Sequence, residues 1–380
     1  MVEIQLKNRR LLHFFQDEKV VNEAITNFET VFPEENLYVV LCNDGIVKKV
    51  NNHPHTYYLS HNSDELKDIV REARYFKEII CHSLWYELSR IITKIDHPNI
   101  TWIEWGADLY ETMLYRKGYK LYFDESTLFK VRARNMPIPI YRLLVGVRDY
   151  IFYKTQLKAL KKVHNLCILQ EDFELLNKYY PECIRFSPIC KGVIYYPIEK
   201  MLDEETRNSF VSGMDIWVNN ASAYNGNHIE VFNRLKALNY RGTVHVPLSY
   251  GIPKWAKYVE SEGKKILGES FDPMMTFLPR EEYYKRFLSS NSFIFGHLRQ
   301  CANGNILVAL YLGAKVFLFK SNPLYNFYIR IGIIIYNIDD ELNDESVTTP
   351  LSDEERINNR KILLGIYSYD NAIKVLKDSF

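Results

Sequence analysis

No run of about 18 consecutive apolar residues occurs in the chain, so a membrane-spanning helix is not expected. The longest apolar run, Ile306 to Phe319, is interrupted by Lys315 and carries Gly313, which suits a helix, a turn and a strand. An excess of either charge is also missing: 48 Lys+Arg stand against 47 Asp+Glu, a formal net charge of +1. That balance argues against a dedicated DNA-binding protein, whose phosphate contacts leave a basic surplus. The six cysteines (Cys42, Cys81, Cys167, Cys183, Cys190, Cys301) contain no C-x-x-C pair and read as reduced, mostly buried thiols. Residues 1–10 carry charge with no apolar stretch behind them, so a secretory signal is not expected and a cytoplasmic location is. No repeat of fixed period and no low-complexity tract is found. Several catalytic signatures are missing too: a G-x-S-x-G elbow, a G-x-G-x-x-G turn, a P-loop lysine and a paired Asp-x-Asp placed to hold a metal.

What is present is an ordinary globular composition, 47% hydrophobic and 25% charged. At about 150 residues per domain, 380 residues suggest two domains. Aromatics are abundant, with 28 Tyr, 21 Phe and 5 Trp; such side chains fill cores, stack on sugar rings and sit at membrane surfaces. Short β-rich runs at 37–42, 76–81 and 100–105 alternate with helical patterns at 63–75 and 84–95, which predicts βαβ units and a parallel sheet. Residues 113–165 break the rhythm. Between Tyr141 and Lys162 the cations Arg142, Arg148, Lys154, Lys158, Lys161 and Lys162 face the single acid Asp149, with tyrosines and aliphatics interleaved. Two readings stay open there: a basic helix lying on an anionic membrane, or a helix with one core face and one solvated face. From residue 212 the alternation restarts, with strands expected at 214–218, 243–246, 292–295 and 315–319. Helices are expected between them and at 352–364 and 369–378.

In open α/β sheets, ligands bind beyond the carboxyl ends of the strands. Four such ends carry unusual polar residues. His82 could act as a general base, hold a hydroxyl or phosphate, or merely bond a neighbouring loop. Asp108, after Trp105 and Gly106, could stand at the mouth of a cleft or cap the next helix. The amide-rich loop Asn219 to His228 offers backbone donors and a helix start to an anion. The stretch from His297 to Asn305 holds Arg299, which could grip a leaving diphosphate in place of a metal or tie down its loop. A metal alternative, His53, His55 and His61, lacks the spacing of a helix-borne zinc site.

These residues also carry a family likeness. Trp105-Gly-Ala-Asp-Leu-Tyr-Glu111, Asn220 and His228, Val246-Pro-Leu-Ser-Tyr250, and Arg299-Gln300 with Gly304 resemble the bacterial TDP-N-acetylfucosamine:lipid II N-acetylfucosaminyltransferases. Tyr195-Tyr-Pro197 and Asn322-Pro323 fit the same pattern, and the blocks keep their order over roughly residues 80–325. The chain departs from the family in having Asn219-Asn220-Ala221 where the family has Gly-Asn-Ser, and in the Cys301-Ala-Asn stretch before Gly304. The resemblance implies an α/β GT-B fold, two Rossmann-like parallel-sheet domains facing each other across a cleft. The expected division is an acceptor-binding domain at 1–205, a nucleotide-sugar domain at 206–350, and closing helices at 351–380 that pack back on the first domain. It implies metal-independent transfer of an amino-deoxy sugar from a dTDP-sugar to an undecaprenyl-diphosphate-linked saccharide, by a peripheral protein on the inner membrane face. Capsule or O-antigen synthesis with another nucleotide sugar, a nucleotide-sugar 2-epimerase and a non-catalytic scaffold are the alternatives. The expected site residues are Asp108 and His82 for catalysis. For the donor they are Asn220, Ser222, His228, Tyr250, Arg299, Gln300, Gly304 and Asn305. Arg148, Lys154, Lys158, Lys161 and Lys162 are expected at the membrane. No cofactor and no resident metal are expected.

Overall fold

The structure, a computed structural model, describes residues 9–380 apart from 44, 134–136, 184–191 and 239. Cys190 therefore lies outside the described residues. The alternation of strands and helices folds into two six-stranded sheets in which every strand pairing is parallel. The first contains β1 (Leu11–Gln16), β2 (Asn36–Leu41), β3 (Thr56–Leu59), β4 (Glu78–His82), β5 (Ile100–Ile103) and β6 (Asn165–Cys167), in the order β3-β2-β1-β4-β5-β6. The second contains β7 (Asp215–Val218), β8 (Val244–Pro247), β9 (Phe271–Met274), β10 (Ser290–Phe295), β11 (Lys315–Leu318) and β12 (Tyr336–Asn337), in the order β12-β11-β10-β7-β8-β9. Strands β2 and β10 are buried along their whole length, as strands covered on both faces must be. Helix starts follow local chemistry: the Ser63 hydroxyl accepts from the Leu66 N–H, and Pro253 opens its helix at a position that needs no donor.

Each compact unit is discontinuous in sequence. The first comprises residues up to Tyr119, Leu144–Tyr195 and Asp370–Phe380; the second comprises Lys120–Leu143 and Tyr196–Tyr369. This differs from the contiguous division at 205 and 350, for reasons visible in the packing. Phe123 and Val131 pack on the second core, and the Phe123 N–H donates to Asn227 Oδ1 at 3.1 Å. The Asp353–Tyr367 helix is held to the second unit: Arg360 donates to the Tyr311 and Ser209 carbonyls, and the Asn359 amide bonds the backbone of Ile334. Only the Tyr369–Ser379 helix serves the first unit, through buried Leu376 and the contact of Phe380 with Phe28.

Close packing in the second unit depends on particular glycines. A Cβ on Gly296 would stand 2.4 Å from the Gly226 carbonyl oxygen, and one on Gly226 would stand 2.7 Å from the His228 ring. Gly365, inside the Asp353–Tyr367 helix, has nothing within 4 Å of such a Cβ. Gly296→Ala is therefore expected to lower stability by about 1–3 kcal/mol through overpacking. Gly365→Ala is expected to raise it by about 1 kcal/mol, because alanine loses less entropy in a helix. Denaturant midpoints of the two variants check both signs.

Candidate functional site

In the first sheet the chain winds outward from β1 to β3 and then returns to β4 beside β1, so the strand order reverses between β1 and β4. His82 ends β4 at that reversal. It is fully buried, and both of its ring nitrogens are engaged, Nδ1 with the Tyr195 hydroxyl at 2.7 Å and Nε2 with His13 Nδ1 at 3.1 Å. The direction of the chain of bonds follows from its ends. The Asn36 amide nitrogen donates to Glu29 and the Phe32 carbonyl, so Asn36 Oδ1 must accept from His13 Nε2. His13 Nδ1 then accepts from His82 Nε2, and His82 Nδ1 accepts from Tyr195, whose oxygen receives the Trp105 indole N–H. Burial drives the His13 pKa down to about 3 and that of His82 well below its ordinary value. The expectation of His82 as a general base is thus corrected: its accepting nitrogen is already occupied by a tyrosine hydroxyl.

Asp108 is corrected in a similar way. Its carboxylate is fully buried and accepts from the Leu84 N–H (2.7 Å), the Trp102 indole (2.9 Å) and the Trp105 N–H (3.0 Å). Burial raises its pKa, against the pull of those three donors. It neither caps the following π-helical turn, Leu109–Leu114, nor faces solvent. It clamps the exits of β4 and β5 together.

In the second sheet the strand order reverses between β7 and β10. Asn219, in a left-handed conformation, bridges the loops that leave these two strands: its Nδ2 donates to the Gly226 carbonyl and its Oδ1 accepts from the Gly296 N–H, both at 2.8 Å. Asn227, also left-handed, donates to the Gly296 carbonyl at 2.8 Å. Neither side chain was singled out from the sequence; for Asn227 the available signal was an asparagine after Gly226 at a helix start. Ser222 is a pin between loops rather than an open donor, since its hydroxyl bonds the Tyr250 carbonyl at 2.9 Å. The Tyr250 side chain is exposed, and Asn220 is half-buried.

The remaining expected residues gather at this reversal. His228 starts the His228–Lys236 helix and is fully buried, and neither ring nitrogen makes a well-formed hydrogen bond. His297 is equally buried, with both ring nitrogens unpartnered. Arg299, 7% exposed, donates through Nη1 to the Gln300 carbonyl, while Gln300 Oε1 and Asn305 Oδ1 are buried without partners. Ala302 takes a left-handed conformation to turn the chain into the Asn303–Tyr311 helix, and Gly304 sits in its first turn. Burial lowers His228 and His297 to about 3; the charge of His297 adds to the shift of the first and that of Arg299 to the second, while the Ala221 backbone favours protonated His228. Buried polar groups are ordinarily paired, and this many unmet donors and acceptors beside a guanidinium and a helix start are groups that a polar, anionic ligand would satisfy.

The expected membrane contacts lie on or beside the Ile138–Leu160 helix. Its C-terminal end is buried: the Gln156 amide donates to the Leu84 and Asp108 carbonyls. Further back, Ile140, Leu143, Leu144, Val147, Tyr150 and Ile151 are exposed at helical spacing, Leu143 at 68%. Lys154, Lys158 and Lys161 are exposed as well. Arg148 is paired with Asp149, and Lys162 is corrected, because its ammonium donates to the Ile95 carbonyl at 2.6 Å. No described helix is long and apolar enough to cross a membrane. His53 and His55 of the metal alternative bond Asn22 and Arg9, and no metal-holding cluster exists among the described residues.

The buried imidazoles make stability depend on pH. His13, His228 and His297 titrate near 6.5 when unfolded and at about 3 when folded, so below 6.5 the unfolded chain binds more protons. Stability is complete above pH 6.5 and falls as pH drops towards 3. Each imidazole is expected to cost about 2 kcal/mol between roughly pH 7 and pH 5. Guanidinium unfolding across that range checks the slope, which His297→Gln should flatten.

No family model and no curated protein matches the chain. Solved structures do. HepE of Anabaena, in complex with UDP and glucose, is 9% identical and aligns over 97% of this chain and 98% of its own, with a TM-score of 0.58. Sucrose-phosphate synthase from Thermosynechococcus elongatus is 9% identical over the same shares, with a TM-score of 0.62. WaaG, a glycosyltransferase involved in lipopolysaccharide biosynthesis, is 12% identical, covers 97% and 98%, and gives a TM-score of 0.52. At such identities the likeness is one of fold, and the chain has the GT-B fold of glycosyltransferases, with two Rossmann-like parallel-sheet units.

Proposed function

We propose that the protein is a glycosyltransferase that takes a nucleotide-diphosphate sugar at the β7/β10 reversal. The observation that carries this reading is the set of unmet buried groups there, His228, His297, Gln300 and Asn305 beside Arg299. A protein of similar fold, HepE, is seen in complex with UDP and glucose, which supports the reading. In the reaction the bond between the sugar's anomeric carbon and the diphosphate oxygen breaks, and that oxygen keeps the electron pair. A hydroxyl of the acceptor forms the new bond and releases its proton. Arg299 and the first turn of the Asn303–Tyr311 helix stabilise the charge growing on the leaving diphosphate, without a resident metal.

The finer reading, from the sequence resemblance, is a dTDP-linked amino-deoxy sugar transferred to an undecaprenyl-diphosphate saccharide at the inner membrane face. The exposed apolar ridge from Ile140 to Ile151, flanked by lysines, favours this over an epimerase working on free nucleotide sugar.

A thermal-shift panel of dTDP, UDP, GDP and CMP, with and without Mg²⁺, tests the donor. A nucleotide at a hundredfold excess over its Kd should add about 2.7 kcal/mol of stability. Metal-independent selectivity for dTDP supports the finer reading, preference for UDP or GDP discards it, and no shift with any nucleotide discards the transferase. Arg299→Ala should keep the fold and reduce kcat by about 10²–10³-fold, as loss of one charge-stabilising donor does. For the membrane, Leu144→Ser with Val147→Ser should abolish co-sedimentation with anionic liposomes. Lys154→Gln, Lys158→Gln and Lys161→Gln together should weaken it in a salt-dependent way, and unchanged sedimentation of both variants would sink the docking.

A further inference from the structure

Away from the β7/β10 reversal, the first unit holds a cavity of about 220 Å³ between the Asp64–Glu72 helix and the Tyr86–Ile92 helix. Its floor is apolar, formed by Leu66 and Ile91, while its rim carries His61, Lys67, Arg90 and Lys94 against one carboxylate, Glu87. That carboxylate is held by the Gln16 amide at 3.0 Å, at the end of β1, so the wall of the cavity is tied to the strand reversal of the first sheet. Lys67 shares the exposed Asp64 at 2.7 Å. Arg90 rests over the Tyr86 ring, and among the described residues neither it nor Lys94 forms an ion pair. Arg90 in the helix and Lys94 in the turn that follows it both line the cavity, so they present two cations to it.

We infer that this cavity is a phosphate-binding subsite. Cations crowded around one concavity repel each other, and a dianion relieves that repulsion while accepting charge-assisted hydrogen bonds from a guanidinium and two ammonium groups. The apolar floor receives whatever the phosphate is attached to, and the volume suits a phosphate with a small substituent. Because Gln16 and Glu87 join the cavity to the β1/β4 reversal, the phosphate belongs to the acceptor; that assignment rests on the transferase reading, whereas the binding itself does not. Two sources share the chemistry, a soluble sugar phosphate and the diphosphate headgroup of a polyprenyl lipid.

The test is calorimetric titration of the full chain with inorganic phosphate, glucose 6-phosphate and geranyl diphosphate. Saturable binding is expected, weakened at least tenfold by R90Q combined with K94Q and unchanged by K264Q combined with K265Q on the exposed Pro253–Leu267 helix. Tighter binding of glucose 6-phosphate identifies a soluble acceptor, and tighter binding of geranyl diphosphate a lipid headgroup. Absence of saturable binding by all three probes, or equal affinity in R90Q/K94Q and the wild type, overturns the subsite. The failure is distinct from that of the transferase: a nucleotide shift without phosphate binding removes only the cavity, and phosphate binding without any nucleotide shift removes only the transfer. Circular dichroism of R90Q/K94Q establishes that both side chains, which are not buried, were removed without loss of fold.

Discussion

The ends of neighbouring parallel strands must be held in register by something other than strand pairing, because the ladder stops where the loops begin. In each unit one buried side chain does this. Asn219 joins the loops that leave β7 and β10, giving a hydrogen bond to one and taking one from the other. Asp108 gathers two backbone N–H groups and an indole at the exits of β4 and β5. A buried acceptor with its donors in place is worth a few kcal/mol against leaving them unmet. The placing of His228 and His297 depends on the first clamp and that of His82 on the second. Beside these clamps, buried imidazoles remain unpaired in the second unit and are fully paired in the first.

That contrast separates two kinds of histidine with similar burial. His82 belongs to a directed chain running from Trp105 through Tyr195 and His13 to Asn36, in which each donor has one acceptor. Nothing in that chain is left to offer a substrate. His228 and His297 have desolvated rings outside any such chain, and neither ring makes a well-formed hydrogen bond. Depressed basicity alone does not distinguish them, since burial is the leading cause for all of them.

The alternation of apolar runs and helical patterns was readable from the sequence, as were the polar loops at 219–228 and 297–305. These are local signals. Strands β1, β3, β6, β9 and β12 were missed: β3, β6, β9 and β12 have four residues or fewer, and β1 follows a charged stretch that hides its start. The role of Asp108 was not readable, because one of its donors, Leu84, is 24 positions away, and neither was that of His82, whose partners lie 69 and 113 away. The allegiance of residues 120–143 was hidden for the same reason. Their pattern resembles the rest of the first half, and only contacts with residues a hundred positions later assign them.

The interleaving of the units bears on how the chain can be made. Residues 370–380 complete the first unit, where Leu376 is buried and Lys77 bonds the Phe380 carbonyl. A ribosome therefore releases almost the entire second unit before the first has all its parts. The first unit must wait, with the Phe28 face uncovered, until residues 370–380 have been made.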